Sequence, residues 1–322
     1  MKILSEKSIS SVDADHWQHF PVRALEDCRN LVLGADIEAV QMAGGKIGGS
    51  LVFTAHDGVV FSSGQIDGSI AARGVISHDA VTLWIVLSPG NGFRVGLRRV
   101  QEGAVGVALP GYEFDALYAP GAMYVAATLE LARFEYAVCR KFRQSAIHPK
   151  SLDTRRLEEL KTALLRIHAG DEAVAGFNIG TAVLRAATSH YTNHIGSNDK
   201  RRPSSYETIV GLARNYIERH LTEPISIEDV TTACGSSRRT LYRAFLGILG
   251  ETPLHYIRRL RLHRIRRDLL SGGQRETISA SARKWGISEP GRMSGWYQEI
   301  FGEKPSATLA TRHKRQVLET WL

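Results

Sequence analysis

A pattern written twice, from Ser226 to Phe245 and again from Thr277 to Phe301, limits what this chain can fold into more than any other feature. In the first copy the Ser226 hydroxyl is placed to accept from the backbone N–H of Asp229, three residues on, which starts a short helix. Gly235 ends that helix, because a glycine just past the last apolar position adopts the left-handed conformation a sharp turn needs. Ser236 or Ser237 then caps a second helix, on which Leu241, Phe245 and Leu249 recur at i, i+4 and i+8 as a core-facing stripe. Arg238, Arg239, Tyr242, Arg243 and Leu246 lie away from that stripe. Helix, tight turn and a second helix with a cationic outer face is helix-turn-helix grammar, and arginine suits major-groove reading because it can bond guanine O6 and N7 together. The same cluster is also compatible with an ordinary solvated helix face.

The second copy restarts at Thr277, carries Ala280, Ala282 and Trp285, breaks at Gly286, and continues into a helix with Met293, Trp296 or Tyr297 and Ile300-Phe301 on its inner side. Between the copies, residues 253–270 read as one helix that Pro253 opens and Gly272-Gly273 close. At 1.5 Å per residue it makes a rod of about 27 Å. Two such units on one rod can address two successive major grooves on one side of a duplex. Charge agrees with this division: the chain carries +8 overall, of which residues 201–322 carry +9 and residues 1–200 carry −1. A basic segment beside a near-neutral one is expected where one part meets polyanionic DNA, with salt-sensitive affinity.

The spacings resemble the DNA-binding module of the AraC/XylS family of bacterial transcription regulators. The matching residues are Ile227 to Phe245, Thr252 to Leu262, Trp285 to Ile287, Gly291-Arg292, Tyr297, Phe301 to Glu303 and Pro305-Ser306. The resemblance implies that Arg239, Tyr242 and Arg243, with Arg238 and Thr240 nearby, occupy base-reading positions. The second copy departs from the pattern: Gly291 and Gly295 stand where a polar or cationic reader is usual, leaving Arg292 and Ser294, and Ser281 stands where a core residue is usual. The first copy is therefore expected to carry most base discrimination and the second mainly backbone positioning.

Upstream, residues 37–140 consist of short apolar segments separated by Gly, Pro, Asn and Asp: 37–42, 49–54, 59–62, 81–87, 93–97, 104–109, 123–129 and 134–138. This texture predicts an antiparallel barrel or sandwich, with residues 82–87 as a central strand. Position and texture resemble the cupin-like effector domain of AraC/XylS members. Leu157, Leu160, Leu164 and Ile167 then mark an amphipathic helix, and a second helical stretch runs over 172–193. These helices either cap the barrel or, as the family resemblance implies, form a dimer interface through Leu157, Leu160 and Leu164. The expected architecture is α+β: a cupin-like β-barrel over 1–150, a helical dimerisation segment over 151–194, a polar linker over 195–204, and an all-α double helix-turn-helix domain over 205–322.

Phe93-Arg94-Val95-Gly96-Leu97-Arg98-Arg99 places two arginines four apart, which on a straight strand would share one face and suit an anion. Asp67, Ser69 and Arg73 lie upstream. An R-x-x-x-R segment with a D-x-S segment resembles the signature of PilZ domains, which bind cyclic di-GMP, although here the two segments run in reverse order and Gly74 follows Ser69 by five residues. Other anions, including aromatic carboxylates, and a plain solvated edge strand are the alternatives. With a guanine base bound, Trp84 or Phe93 would stack on it. His56 and His78 form no metal-ligating group with a neighbouring carboxylate, and no phosphate loop or catalytic triad stands out, so no catalytic or metal residues are expected. Cys28, Cys139 and Cys234 are widely spaced and odd in number, which suits a reducing cytoplasm. No secretory leader or membrane span is expected.

The expected protein is a ligand-responsive, homodimeric DNA-binding transcription regulator without an enzymatic cofactor. Its partners would be double-stranded promoter DNA, a small anionic effector with cyclic di-GMP as one candidate, and, by the family resemblance, RNA polymerase, with activation favoured. The alternatives are a cupin-type metal enzyme with a DNA-binding appendage and a ligand-independent dimeric regulator.

Overall fold

A computed structural model of the chain describes residues 16–33, 35–131, 147, 150–171, 179–193, 204–271 and 277–311. The strand expected at 134–138, Cys139, nearly all of the expected linker, and the Gly272-Gly273 stop lie outside the described residues. Contacts divide the chain into two units, Met1–Ala39 with Ile47–Arg201, and Val40–Lys46 with Arg202–Leu322.

The first unit is built on eleven strands: β1 (Gln18–Pro21), β2 (Ala35–Gln41), β3 (Gly48–His56), β4 (Val59–Asp67), β5 (Ile70–Ile76), β6 (Ala80–Pro89), β7 (Arg94–Val95), β8 (Arg98–Arg99), β9 (Val105–Ala108), β10 (Glu113–Tyr118) and β11 (Ala122–Glu130). They form two sheets, ordered β1-β3-β4-β11-β6-β9 and β2-β5-β10-β7-β8. The expected closed barrel is therefore corrected to a pair of separate sheets. β5 and β10, which the sequence texture does not announce, pair with each other in the middle of the smaller sheet.

Side-chain alternation explains why β6 reads as nearly continuous apolar sequence. Val81, Leu83, Ile85 and Leu87 point to one face of the larger sheet, and Trp84 and Val86 to the other, and both faces are covered. One face packs on two helices, α1 (Thr154–His168) and α2 (Ile179–Asn193), and the other packs on the five-stranded sheet. Asp153 caps α1 by accepting from the Arg156 N–H. Leu157, Leu160 and Leu164 are 6%, 6% and 0% exposed within this chain's own core. These leucines pack against the sheet of their own chain, as the capping alternative expects. Helix α2 approaches closely at Gly180, where a β-carbon would stand 2.5 Å from the Phe61 ring.

The second unit contains α3 (Ser205–Arg219), α4 (Ile227–Cys234), α5 (Arg238–Leu249), α6 (Pro253–Ser271), α7 (Ile278–Lys284) and α8 (Pro290–Phe301). Ser204 caps α3 in a reciprocal box with Glu207. The long helix α6 is shared by two small cores. Toward its start, Tyr256 packs edge-on to Phe245 and receives a hydrogen bond from the buried Arg214, while its own hydroxyl donates to Glu218. Toward its end, Leu262, Ile265 and Leu269 pack with Ala282, Ile287, Met293 and Tyr297. Because α6 is covered on several sides, its buried positions include Arg259 and His263, and Arg259 pairs with Glu251. No helix among the described residues is long and apolar enough to cross a membrane.

Candidate nucleic-acid interface

In the first helix-turn-helix, the Ser226 hydroxyl accepts from the Asp229 N–H at 3.1 Å, and the Asp229 carboxylate accepts back from the Ser226 N–H at 3.0 Å. The Ser226 hydroxyl also donates to the Asp229 carboxylate at 2.6 Å, and this bond, with the one from the Ser226 N–H, holds the carboxyl below its usual range. Gly235 ends α4 in the left-handed conformation at φ 60°, and the Ser237 hydroxyl accepts from the Thr240 N–H at 3.2 Å to start α5. Leu241, Ala244 and Phe245 are fully buried, which fixes the roll of α5 and turns the opposite face outward. On that face Arg239 and Arg243 are exposed, one helical turn apart, and neither has a hydrogen-bond or carboxylate partner among the described residues. Arg238 differs: its guanidinium lies 3.8 Å from Glu228 and 5.8 Å from the centre of the Tyr242 ring. Thr240 and Tyr242 are half-buried beside it.

The second helix-turn-helix is built with the same caps. The Thr277 hydroxyl accepts from the Ala280 N–H at 3.1 Å, Gly286 turns at φ 68°, and Gly302 closes α8 at φ 69°. Asp268 on α6 accepts from Lys284 and from the Trp285 indole, each at 2.7 Å, and so anchors the end of α7. Ser281 is fully buried, as a core position requires, despite its hydroxyl. The outer face of α8 is nearly bare: Gly291 and Gly295 have open space where a side chain would project, and Ser294 is half-buried. Arg292 is exposed and pairs with Glu289 at 3.0 Å, a partner the sequence reading missed although the i, i+3 spacing signals it. A surface pair of this kind is weak enough for the guanidinium to be released to a phosphate.

A family model described as a helix-turn-helix domain matches residues 230–311. The probable thc operon regulatory protein of Rhodococcus erythropolis is 36% identical over 104 residues, which is 32% of this chain and 31% of that protein. The XylDLEGF operon transcriptional activator 2 of Pseudomonas putida is 32% identical over 106 residues, 33% of this chain and 67% of that protein. A solved structure, a probable AraC family transcriptional regulator from Rhodopseudomonas palustris, is 35% identical over 32% of this chain and 96% of its own, with a TM-score of 0.31. This chain belongs to the AraC/XylS family. It spans about a third of the length of the Rhodococcus relative.

The first unit of this AraC/XylS member does not bring the expected effector residues together. Gly96 and Leu97, at φ 55° and 68°, make a tight hairpin turn inside the segment read as one straight strand. β7 and β8 pair Arg94 with Arg99 and Val95 with Arg98, so Arg94 and Arg98 fall on opposite faces, and Arg99 is the arginine that shares a face with Arg94. Arg94 donates to the Leu97 carbonyl at 2.9 Å. On the same outer face of the smaller sheet, Arg73 stands opposite Asp115 in register and pairs with it at 3.2 Å. Trp84 lies on the larger sheet and packs into the space between the sheets, away from those arginines. Asp67 is exposed at the end of β4, and Ser69 precedes β5.

That interior space is closed as well. Between the sheets, Trp84, Phe93, Val95, Tyr118 and Tyr124 line a cavity of about 20 Å³, room for one water molecule. A larger groove of about 790 Å³ opens between α1 and α2, floored by Leu160, Ala163 and Ile179 and rimmed by Arg156, Arg166 and Arg185. Arg166 is committed to Asp171 at 2.8 Å, whereas the exposed Arg185 guanidinium has no such partner among the described residues. Among the described residues no group of three His, Cys, Asp or Glu could hold a metal ion, and His56 lies 3.2 Å from Asp57 at the surface.

Proposed function

We propose that this protein is a transcription regulator whose second unit reads two successive major grooves of promoter DNA. The observation that carries the reading is the pair Arg239 and Arg243, exposed and without partners among the described residues, on the outer face of a helix whose inner face is fully buried. Two guanidiniums one turn apart, free to form bidentate bonds with guanine, supply base discrimination of about 1–3 kcal/mol each. Arg238, braced by Glu228 and Tyr242, and Thr240 at the start of α5 serve backbone positioning, as do Arg292 and Ser294 on α8. For an activator, contact with RNA polymerase completes the function.

Control by a small anionic effector and assembly as a homodimer belong to the same reading. The groove between α1 and α2 supports the effector better than the sandwich interior does, because of the two it has the volume a small ligand needs. An apolar floor with guanidiniums at the rim suits an aromatic carboxylate. Cyclic di-GMP would instead have to use the outward arginines Arg94, Arg99 and Arg73. Titration calorimetry with benzoate and with cyclic di-GMP, against Arg185→Ala and Arg94→Ala, separates the two sites.

The decisive experiment is selection of binding sites from random duplexes by the purified full chain. It should enrich two half-sites about one DNA turn apart. Arg239→Ala or Arg243→Ala should then lose roughly 5- to 150-fold on the enriched site and far less on unrelated DNA. Failure to enrich any sequence would remove the proposal. Equal losses on both DNAs would reduce the arginines to phosphate contacts.

A further inference from the structure

The guanidinium of Arg261 joins the two helix-turn-helix modules. Arg261 lies midway along α6, and its three nitrogens donate to three backbone carbonyls: Nε to Leu221 at 3.2 Å, Nη2 to Glu223 at 2.6 Å and Nη1 to Gly286 at 3.1 Å. Leu221 and Glu223 belong to the segment between α3 and α4, in the first module, whereas Gly286 is the turn glycine of the second. A β-carbon at Gly286 would stand 3.1 Å from the guanidinium, so the two surfaces are already in close approach. Burial pulls the Arg261 pKa down from its ordinary value, in keeping with an arginine half withdrawn from water.

We infer that Arg261 is a positioning residue that fixes the angle between the two modules, and through it the spacing between DNA half-sites that the protein prefers. A planar guanidinium directs its donors along fixed directions, so three acceptors held at once leave α3–α4 and the second turn little freedom to rotate about α6. α6 by itself is a single rod that each module could roll upon; a cross-brace from its midpoint to both modules removes that roll. Lysine cannot substitute, because its three donors radiate from one nitrogen and do not match three carbonyls laid out around a plane. Every donor Arg261 offers in these bonds goes to protein carbonyls, so its action on DNA runs through the placement of α5 and α8 and not through contact.

The inference rests on the DNA-binding reading, and the test keeps the two apart. Full-length wild type, Arg261→Ala, Arg261→Lys and Arg261→Gln would be titrated by fluorescence anisotropy. The probes are the selected bipartite site, versions with one or two base pairs inserted or deleted between half-sites, and duplexes holding a single half-site. Wild type should discriminate sharply among spacings. Arg261→Ala and Arg261→Lys should keep half-site affinity within about twofold, lose about tenfold on the native spacing, and show a flattened spacing profile. Should Arg261→Ala fail to fold, the lysine and glutamine variants carry the comparison, with thermal unfolding as the check on each. Unchanged spacing preference in the variants would overturn the inference while leaving DNA binding intact. So would equal losses on half-sites and bipartite sites. A wild type that binds no sequence selectively would instead sink the DNA-binding reading itself.

Discussion

His168, the last residue of α1, is held at both ring nitrogens inside the first unit: Nδ1 lies 2.7 Å from the Ser50 hydroxyl and Nε2 3.0 Å from the Ser63 hydroxyl. Ser63 already donates its proton to the Tyr124 carbonyl at 2.7 Å, so its oxygen accepts from Nε2–H and the neutral ring accepts at Nδ1 from Ser50. One ring proton satisfies the whole network, and a second would force the Ser50 hydroxyl to turn its own proton away and accept from Nδ1–H. Burial, with His19 nearby, lowers the His168 pKa from 6.5 to about 4. A folded pKa below the unfolded one means that the unfolded chain binds protons more readily. Stability from this group is therefore complete above about pH 6.5 and drains as pH falls toward 4. Between pH 8 and pH 4.5 the loss works out at about 2.5 kcal/mol, a large share of a typical domain's total. His263 in the second unit, lowered to about 3 by burial and by Arg259, titrates in the same direction, so a global melting curve would mix the two. Hydrogen exchange of β3, β4 and β11 peptides, compared between wild type and His168→Gln, isolates the first. Wild-type protection of these strands should fall by that amount over the window while the variant's falls much less. Parallel pH slopes in the two proteins would refute the network as drawn.

Leu164→Ala should destabilise the first unit by about 2–5 kcal/mol, since the side chain is fully buried between α1 and the sheet, and urea unfolding of the full chain reads it. Gly180→Leu forces a side chain into the Phe61 ring and should lower the unfolding midpoint of the same unit, whereas a leucine at the outward Gly295 should not disturb packing. Gly295→Ala should stabilise α8 by up to about 1 kcal/mol, because the position is helical, exposed and open. If anisotropy shows DNA affinity falling in that same variant, the bare glycine is there to let the helix backbone come close to the duplex.

How much of this was legible in the sequence depended on how local its cause is. The helix-turn-helix modules were readable because caps, turn glycines and i, i+4 stripes act within a few residues: Ser226, Gly235 and Ser237 each do what their positions imply. The sheets were readable only where a strand is buried on both faces, as in β6. β10 was passed over although Glu113, Phe114, Asp115 and Ala116 alternate polar and apolar, the period-two signal of a half-buried strand. β5 hides because Ala, Arg and Gly dominate it. The Arg94–Arg98 assignment failed on a turn that no glycine rule could place in full, since Leu97 is a non-glycine residue with positive φ.

The arginines of the two units show why residue type alone does not make a site. In the first unit Arg73 is matched to Asp115 across a strand pair and Arg94 to the Leu97 carbonyl of its own hairpin, so a cationic sequence phrase became part of the scaffold. In the second unit Arg259 and Arg266 are likewise engaged, with Glu251 and Glu303, and Arg261 is consumed by carbonyls. What separates Arg239 and Arg243 is that no acceptor among the described residues engages them while the helix face behind them is buried, which leaves their donors available at the surface. A net charge of +9 over residues 201–322 suits a segment that meets DNA, but discrimination between sequences needs donors that the protein has not already satisfied. On the function proposed here α5 would carry the recognition, and α8, with its bare glycines and its Arg292 tied to Glu289, would add contacts to the DNA backbone.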